Sequence, residues 1–185
     1  MTKYSYQLAL SAILILIPAC SHTLPITERP CKQNITVLND KNTGKISIIS
    51  GTVTVLDKNK DTDTSLSLYF QESDKKYLIS FIYTSFGSIP PGFENALLEF
   101  DDGTVIKLEN PAYNKEMKET TSDKYTDTFF EIGEMNLKAL SEKLLKKISI
   151  SFPPANQIQA LSIKIDTEKA ATIKYLANCF FMSAS

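Results

Sequence analysis

Histidine is almost missing from this 185-residue chain, and the single example, His22, lies in the polar, proline-bearing stretch SHTLPITERPCKQN at residues 21–34. That stretch reads as a linker. With its one imidazole there, neither a Ser-His-Asp nor a Cys-His nucleophile can be assembled, and zinc sites built on histidine are excluded. Cysteine is nearly as scarce: Cys20, Cys31 and Cys179 form no C-x-x-C pair, which excludes a multi-thiolate zinc site and leaves no redox motif. Positive charge is not in excess, since 20 Lys and Arg are interleaved with 21 Asp and Glu. No basic stripe is available to displace phosphate counterions, so nucleic acid is set aside as a partner. The apolar run at residues 8–17 is about half the roughly 20 residues that span a bilayer, which makes a transmembrane helix the weaker reading. No repeat or low-complexity stretch divides the chain, and its length suits one domain.

What is present begins at the N-terminus. Lys3 precedes the apolar run, and Ile17-Pro18-Ala19-Cys20 follows it, with a small residue directly before the cysteine. This arrangement resembles the signal peptide and lipobox of bacterial lipoproteins. The resemblance implies removal of residues 1–19, acylation of Cys20 as the first mature residue and membrane anchor, and residence in the bacterial cell envelope. In that family an Asp after the cysteine retains the protein at the inner membrane, so Ser21 implies the outer membrane. An ordinary secretory peptide cut at the same stretch, leaving Cys20 as a free thiol, stays open, and both readings export the chain. Stable anchoring needs more than one acyl chain, each buried methylene contributing about 0.8 kcal/mol. Cleavage would remove Lys3 and no acid, changing the formal charge from −1 to −2.

Acylation of Cys20 leaves Cys31 and Cys179 as a pair in an oxidising compartment, and a disulfide between them is expected. It would clamp the two ends of the domain, worth up to about 5 kcal/mol from loop-closure entropy. The alternative is a buried Cys179 acting as a small hydrophobe and an exposed Cys31 thiol. The organisation expected is therefore a signal peptide at 1–19, a lipidated tether at 20–34, and one β-rich domain at 35–185. Fully extended, the residues between Cys20 and Cys31 would reach about 35 Å. The sequon at Asn34-Ile35-Thr36 matters only in a eukaryotic secretory pathway, which the lipobox argues against.

Strand patterns dominate the domain. Residues 45–56 are rich in Ile, Val and Thr, 65–70 alternate, and 77–86 are apolar on both parities, as in a central strand. Residues 96–100 and 104–108 flank Asp101-Asp102-Gly103, a hairpin signal in which Asp-Gly takes two turn positions at positive φ. Residues 126–132, 148–152 and 160–165 complete the strands, with Pro153-Pro154 ending one. Two helices are predicted: one capped by Asn136 and running to Lys147, its side formed by Leu137, Leu140, Leu144 and Leu145, and one over 167–178 capped by Asp166 or Thr167. The fold class expected is α+β, mostly β: an antiparallel sheet or sandwich with two helices in the C-terminal half. Thr43-Gly44, the Asp102-Gly103 hairpin, the leucine-rich helix followed by a strand, and the late Cys179 resemble a recurring type of small bacterial lipoprotein; that resemblance supplies no activity and no catalytic residues.

Few residues carry chemistry. Asp57, Asn59, Asp61 and Asp63 place oxygens at every second position, similar to the start of a calcium loop, but Thr62 stands where the turn needs Gly and Leu68 where a bidentate Glu belongs. A charged loop between strands is the expectation there, and no metal or cofactor is expected. Glu116, Glu119, Asp123 and Asp127 fall in a polar segment, 110–127, read as a solvated loop; a paired-carboxylate hydrolase site is a distant third reading. In Pro90-Pro91-Gly92-Phe93 the ring of Phe93 is either presented to a partner or tucked into the core, the latter being the plainer reading. The function expected is a non-enzymatic, membrane-anchored binding or accessory domain for an envelope protein, with a small-ligand or carbohydrate-binding module as the alternative.

Overall fold

The computed structural model of the chain describes residues 24–41, 45–57, 64–84, 92–109, 125–152 and 160–184. The segment read as a signal peptide, Cys20 and His22, the interior of the calcium-like loop, Pro90-Pro91, the acidic positions 116, 119 and 123, and Pro153-Pro154 lie outside them.

The strands are β1 Ile35–Asn39, β2 Ile46–Ser50, β3 Val53–Leu56, β4 Ser65–Ser73, β5 Lys76–Thr84, β6 Asn95–Phe100, β7 Val105–Glu109, β8 Tyr125–Glu131, β9 Leu145–Ser151 and β10 Ala160–Lys164. They form two antiparallel sheets. A six-stranded sheet has the order β1-β2-β4-β5-β8, with β3 also on β4, and a four-stranded sheet has the order β10-β9-β6-β7. Alternation decides which face is buried: Leu66, Leu68 and Phe70 of β4, Ile79 and Phe81 of β5, and Phe130 of β8 join Leu98, Phe100, Ile148 and Ile150 of the second sheet in one core. Each such side chain contributes roughly 1.5–3 kcal/mol over leaving it in water. The apolar segment at 77–84 is β5, a central strand paired on both edges by β4 and β8.

Helix α1 spans Glu134–Glu142 and helix α2 spans Thr167–Ala184. α2 packs on the inner side of β2, β3 and β4, on β9 and on α1, placing Phe180 against Phe70 at 5.9 Å between ring centroids. Asp166 caps it: Oδ1 accepts the Lys169 N–H at 2.8 Å.

Several expectations change. α1 starts two residues before Asn136, at a Gly133 with φ +69, and stops at Glu142. Leu145, Lys146 and Lys147 belong to β9. There Phe100 faces Leu145 while Glu99 faces Lys147, so Lys146 is an extra, bulged residue that spoils the two-residue alternation and gives the segment a helical appearance in sequence. The Ile/Val/Thr-rich segment at 45–56 is not one strand but two, broken at Gly51-Thr52. At the break the Ser50 hydroxyl accepts the Phe70 N–H at 2.8 Å, replacing a ladder bond. At the Asp101-Asp102-Gly103 turn only Gly103 has positive φ, at +83. The Phe100 carbonyl accepts the Gly103 N–H at 3.1 Å and the Phe100 N–H reaches the Thr104 carbonyl at 2.9 Å, a three-residue hairpin loop closed by a left-handed glycine. The two-residue turn with both positions at positive φ occurs instead at Asp74-Lys75, between β4 and β5.

The segment read as a tether is docked from Ile26 onward. Two 3-10 turns, Ile26–Glu28 and Cys31–Gln33, lie against α2. A disulfide joins Cys31 to Cys179, the Tyr175 hydroxyl donates to the Arg29 carbonyl, and the buried Asn34 amide donates to the carbonyls of Ile26 at 3.1 Å and Arg29 at 3.4 Å. Strand β1, not anticipated, follows directly at the edge of the larger sheet.

Candidate binding face

In β8 the alternation of Tyr125-Thr126-Asp127-Thr128-Phe129-Phe130 sends Thr126, Thr128 and Phe130 into the core and Tyr125, Asp127 and Phe129 to the opposite face. The register brings Tyr69 of β4 and Ser80 of β5, which pair directly, to the same outer face. From sequence Asp127 falls both at the end of the polar segment 110–127 and inside the strand at 126–132; it lies within the strand, because its two threonine neighbours supply β-branched, inward-facing positions.

The three polar groups form one network. The Tyr69 hydroxyl donates to Asp127 Oδ2 at 2.9 Å, and the Ser80 hydroxyl, fully buried, donates to Asp127 Oδ1. The Tyr69 ring meets Phe129 edge-on at 6.3 Å. Burial pushes the Asp127 carboxyl above the ordinary carboxylate range, with the bonds from Ser80 and Tyr69 opposing that rise. Burial likewise pushes the Tyr69 hydroxyl well above its usual value. Tyr125 and Phe129 remain 37% and 40% exposed on either side of the acid. Neither helix packs over this face of β5 and β8, and no described strand pairs with the far edge of β8.

The outer face of the four-stranded sheet has no exposed ring among its described residues, and its exposed apolar side chains are Leu97 and Val105. It carries Lys107, Lys147, Ser149 and Ser162, with Glu99 held by Lys146 at 3.5 Å and Lys147 at 3.7 Å. Such exposed pairs contribute little to stability. Asp102 beside it is held at about 2 by the hydrogen-bonded Lys143 ammonium and then by the Thr104 N–H.

Phe93, one candidate for partner contact, is fully buried. Its ring lies 5.1 Å from Phe152 and 5.9 Å from Tyr83, so the aromatic payload is spent in the core and is not presented to a partner. Asp57, at the start of the calcium-like stretch, accepts from Lys169 at 2.6 Å. Among the described residues no group of three His, Cys, Asp or Glu is placed to hold a metal, and no helix is long and apolar enough to cross a membrane. A shallow cleft of about 410 Å³ opens between Thr27, Ser141, Leu144, Lys174 and Tyr175, where the N-terminal segment lies on α2, away from Asp127.

Tyr69 and Ser80 were not anticipated as site residues. The period-two spacing of Tyr125, Asp127 and Phe129 was a readable signal, whereas the contribution of β4 and β5 depends on register. No family model matches the chain, and no curated protein or solved structure matches it.

Proposed function

We propose that the chain is a lipid-anchored protein of the bacterial cell envelope, acylated at Cys20, whose non-enzymatic domain binds a protein partner through the outer face of the six-stranded sheet. The observation that supports this most is the pair of exposed rings, Tyr125 and Phe129, flanking a half-buried carboxylate on an edge strand. Exposed aromatic residues around a polar anchor are what partner-binding surfaces use. Anchoring follows the Ile17-Pro18-Ala19-Cys20 motif, and Ser21 favours the outer membrane.

Docking of the chain from Ile26 shortens the free stalk relative to a tether reaching residue 34. Six residues from Cys20 to Ile26 extend about 20 Å at most, which keeps the domain close to the headgroups. A second reading, a carbohydrate-binding module, draws on the same rings, since aromatic faces also stack on sugars.

A photo-crosslinking benzoylphenylalanine at position 129, in the full chain within its native envelope, tests the reading. One discrete crosslinked protein from position 129, none from position 107 on the other sheet, and its weakening by Cys20→Ser are expected. Equal crosslinking at both positions, or none at 129, overturns the face as a partner surface. Mass spectrometry of the mature N-terminus tests the anchor separately.

A further inference from the structure

Exposed acids across this domain sit beside lysines: Asp57 with Lys169, Asp74 with Lys45, and Glu131 with Lys76 at 2.6–2.9 Å. Asp127 is more buried than these and is treated differently. Among the described residues, no Lys or Arg pairs with it; it receives two neutral hydroxyls, from Tyr69 and Ser80. A carboxylate withdrawn from water without a cation is costly, and two neutral donors only partly offset that cost. The arrangement nevertheless orients the group. Each carboxylate oxygen has two acceptor directions and each has one filled, which leaves one open direction per oxygen. On the same strand face, two residues and about 7 Å of backbone to either side, stand Tyr125 and Phe129.

From this we infer that Asp127, Tyr125 and Phe129 form a receptor for a basic side chain of the partner, an arginine in preference to a lysine. The inference rests on the reading of this face as a partner surface and names the chemistry that the face takes. A guanidinium is planar and weakly hydrated, donates two parallel hydrogen bonds to one carboxylate, and stacks on aromatic rings. It supplies the charge, fills the two open acceptor directions, and stacks on one of the two exposed rings that flank the carboxylate. A neutral sugar would stack on the rings but leave the carboxylate charge uncompensated.

The test uses the isotope-labelled chain carrying Cys20→Ser. It is titrated with the end-blocked peptide Gly-Gly-Arg-Gly-Gly, with its citrulline counterpart, which keeps the shape and loses the charge, and with maltotriose. The arginine peptide is expected to shift the amide signals of Tyr69, Ser80, Tyr125, Asp127 and Phe129 together. Its affinity should fall at least about ten-fold on replacement by citrulline and by a similar factor in Asp127→Asn. Phe129→Ala, which removes an exposed ring, provides a second variant and should weaken the arginine peptide while leaving the fold intact.

Equal shifts with both peptides, no shifts with either, or shifts with maltotriose in their place overturn the inference. A crosslink from position 129 that persists unchanged in Asp127→Asn also overturns it, while the partner-surface reading stands. Specific arginine binding with no crosslink at 129 in the native envelope overturns the partner-surface reading and leaves the receptor chemistry standing.

Discussion

The Tyr69 hydroxyl reaches across β5 to the Asp127 carboxylate at 2.9 Å, joining two strands that do not pair with each other. Between them Ser80 rises from β5 to donate to the other oxygen. The carboxylate is thereby held by two other strands of its sheet, β4 and β5, while its aromatic flanks come from its own.

Asp127→Asn should leave the domain at least as stable at neutral pH as the parent chain. The substitution removes a half-buried charge, and both hydroxyls can turn to accept as readily as donate. The pH dependence has a definite sign. Because the folded-state value is raised, the folded chain holds this proton more tightly than the unfolded one. Asp127 therefore subtracts stability above its raised value and ceases to do so as pH falls through it toward 3.8. Urea denaturation of both proteins across that window should show this component in the parent and not in the Asn variant.

Asp102 behaves in the opposite sense. Lys143 holds its carboxyl at about 2, so its favourable contribution is present above the ordinary value of 3.8 and is lost as pH falls through about 2. In Lys143→Ala the titration midpoint, followed by the side-chain carboxyl signal in NMR, should return toward 3.8. A midpoint that stays near 2 would assign the shift to Thr104 alone.

Reduction of the Cys31–Cys179 bond, or Cys31→Ser with Cys179→Ser, should cost about 2–5 kcal/mol in chemical denaturation. Hydrogen exchange should accelerate first at Gln33 and Asn34, whose amides close the 3-10 turns against Pro30 and Cys31 carbonyls. Uniform acceleration across both sheets would show that the bond supports the whole domain and not its N-terminal segment.

Ser50→Ala should destabilise the domain by about 1–3 kcal/mol, because the buried Phe70 N–H loses its acceptor at the break between β2 and β3. Ser50→Thr retains the oxygen and should recover most of the loss. Calorimetry on the three proteins decides this, and an unchanged melting temperature in the Ala variant would mean that the N–H finds water.

Much of the architecture was legible because side-chain alternation reports burial directly. The apolar segment that forms β5, the hairpin at Gly103, the strands β8 and β10 and the cap at Asp166 all follow from local pattern. The pattern misled where an extra residue interrupts it, as at Lys146, and where a hydroxyl stands in for a strand bond, as at Ser50. The candidate face was half legible: Tyr125, Asp127 and Phe129 recur with the period of a strand, yet the lysine- and acid-rich residues before them made the segment resemble a loop.

Residue identity alone determined the short apolar N-terminal run and the cysteine after it, the balance of charge, the want of histidine and thiolate chemistry, and the preponderance of strand. Those are local properties, set by a residue and its near neighbours. Tertiary structure decided the rest: that Phe93 is core, that the segment after Pro25 is bound to α2, and that Tyr69 and Ser80 converge on Asp127 from 58 and 47 residues away. Such contacts depend on strand order and register, and a one-residue slip in the pairing of β4 with β5 would turn Ser80 to the other face of the sheet.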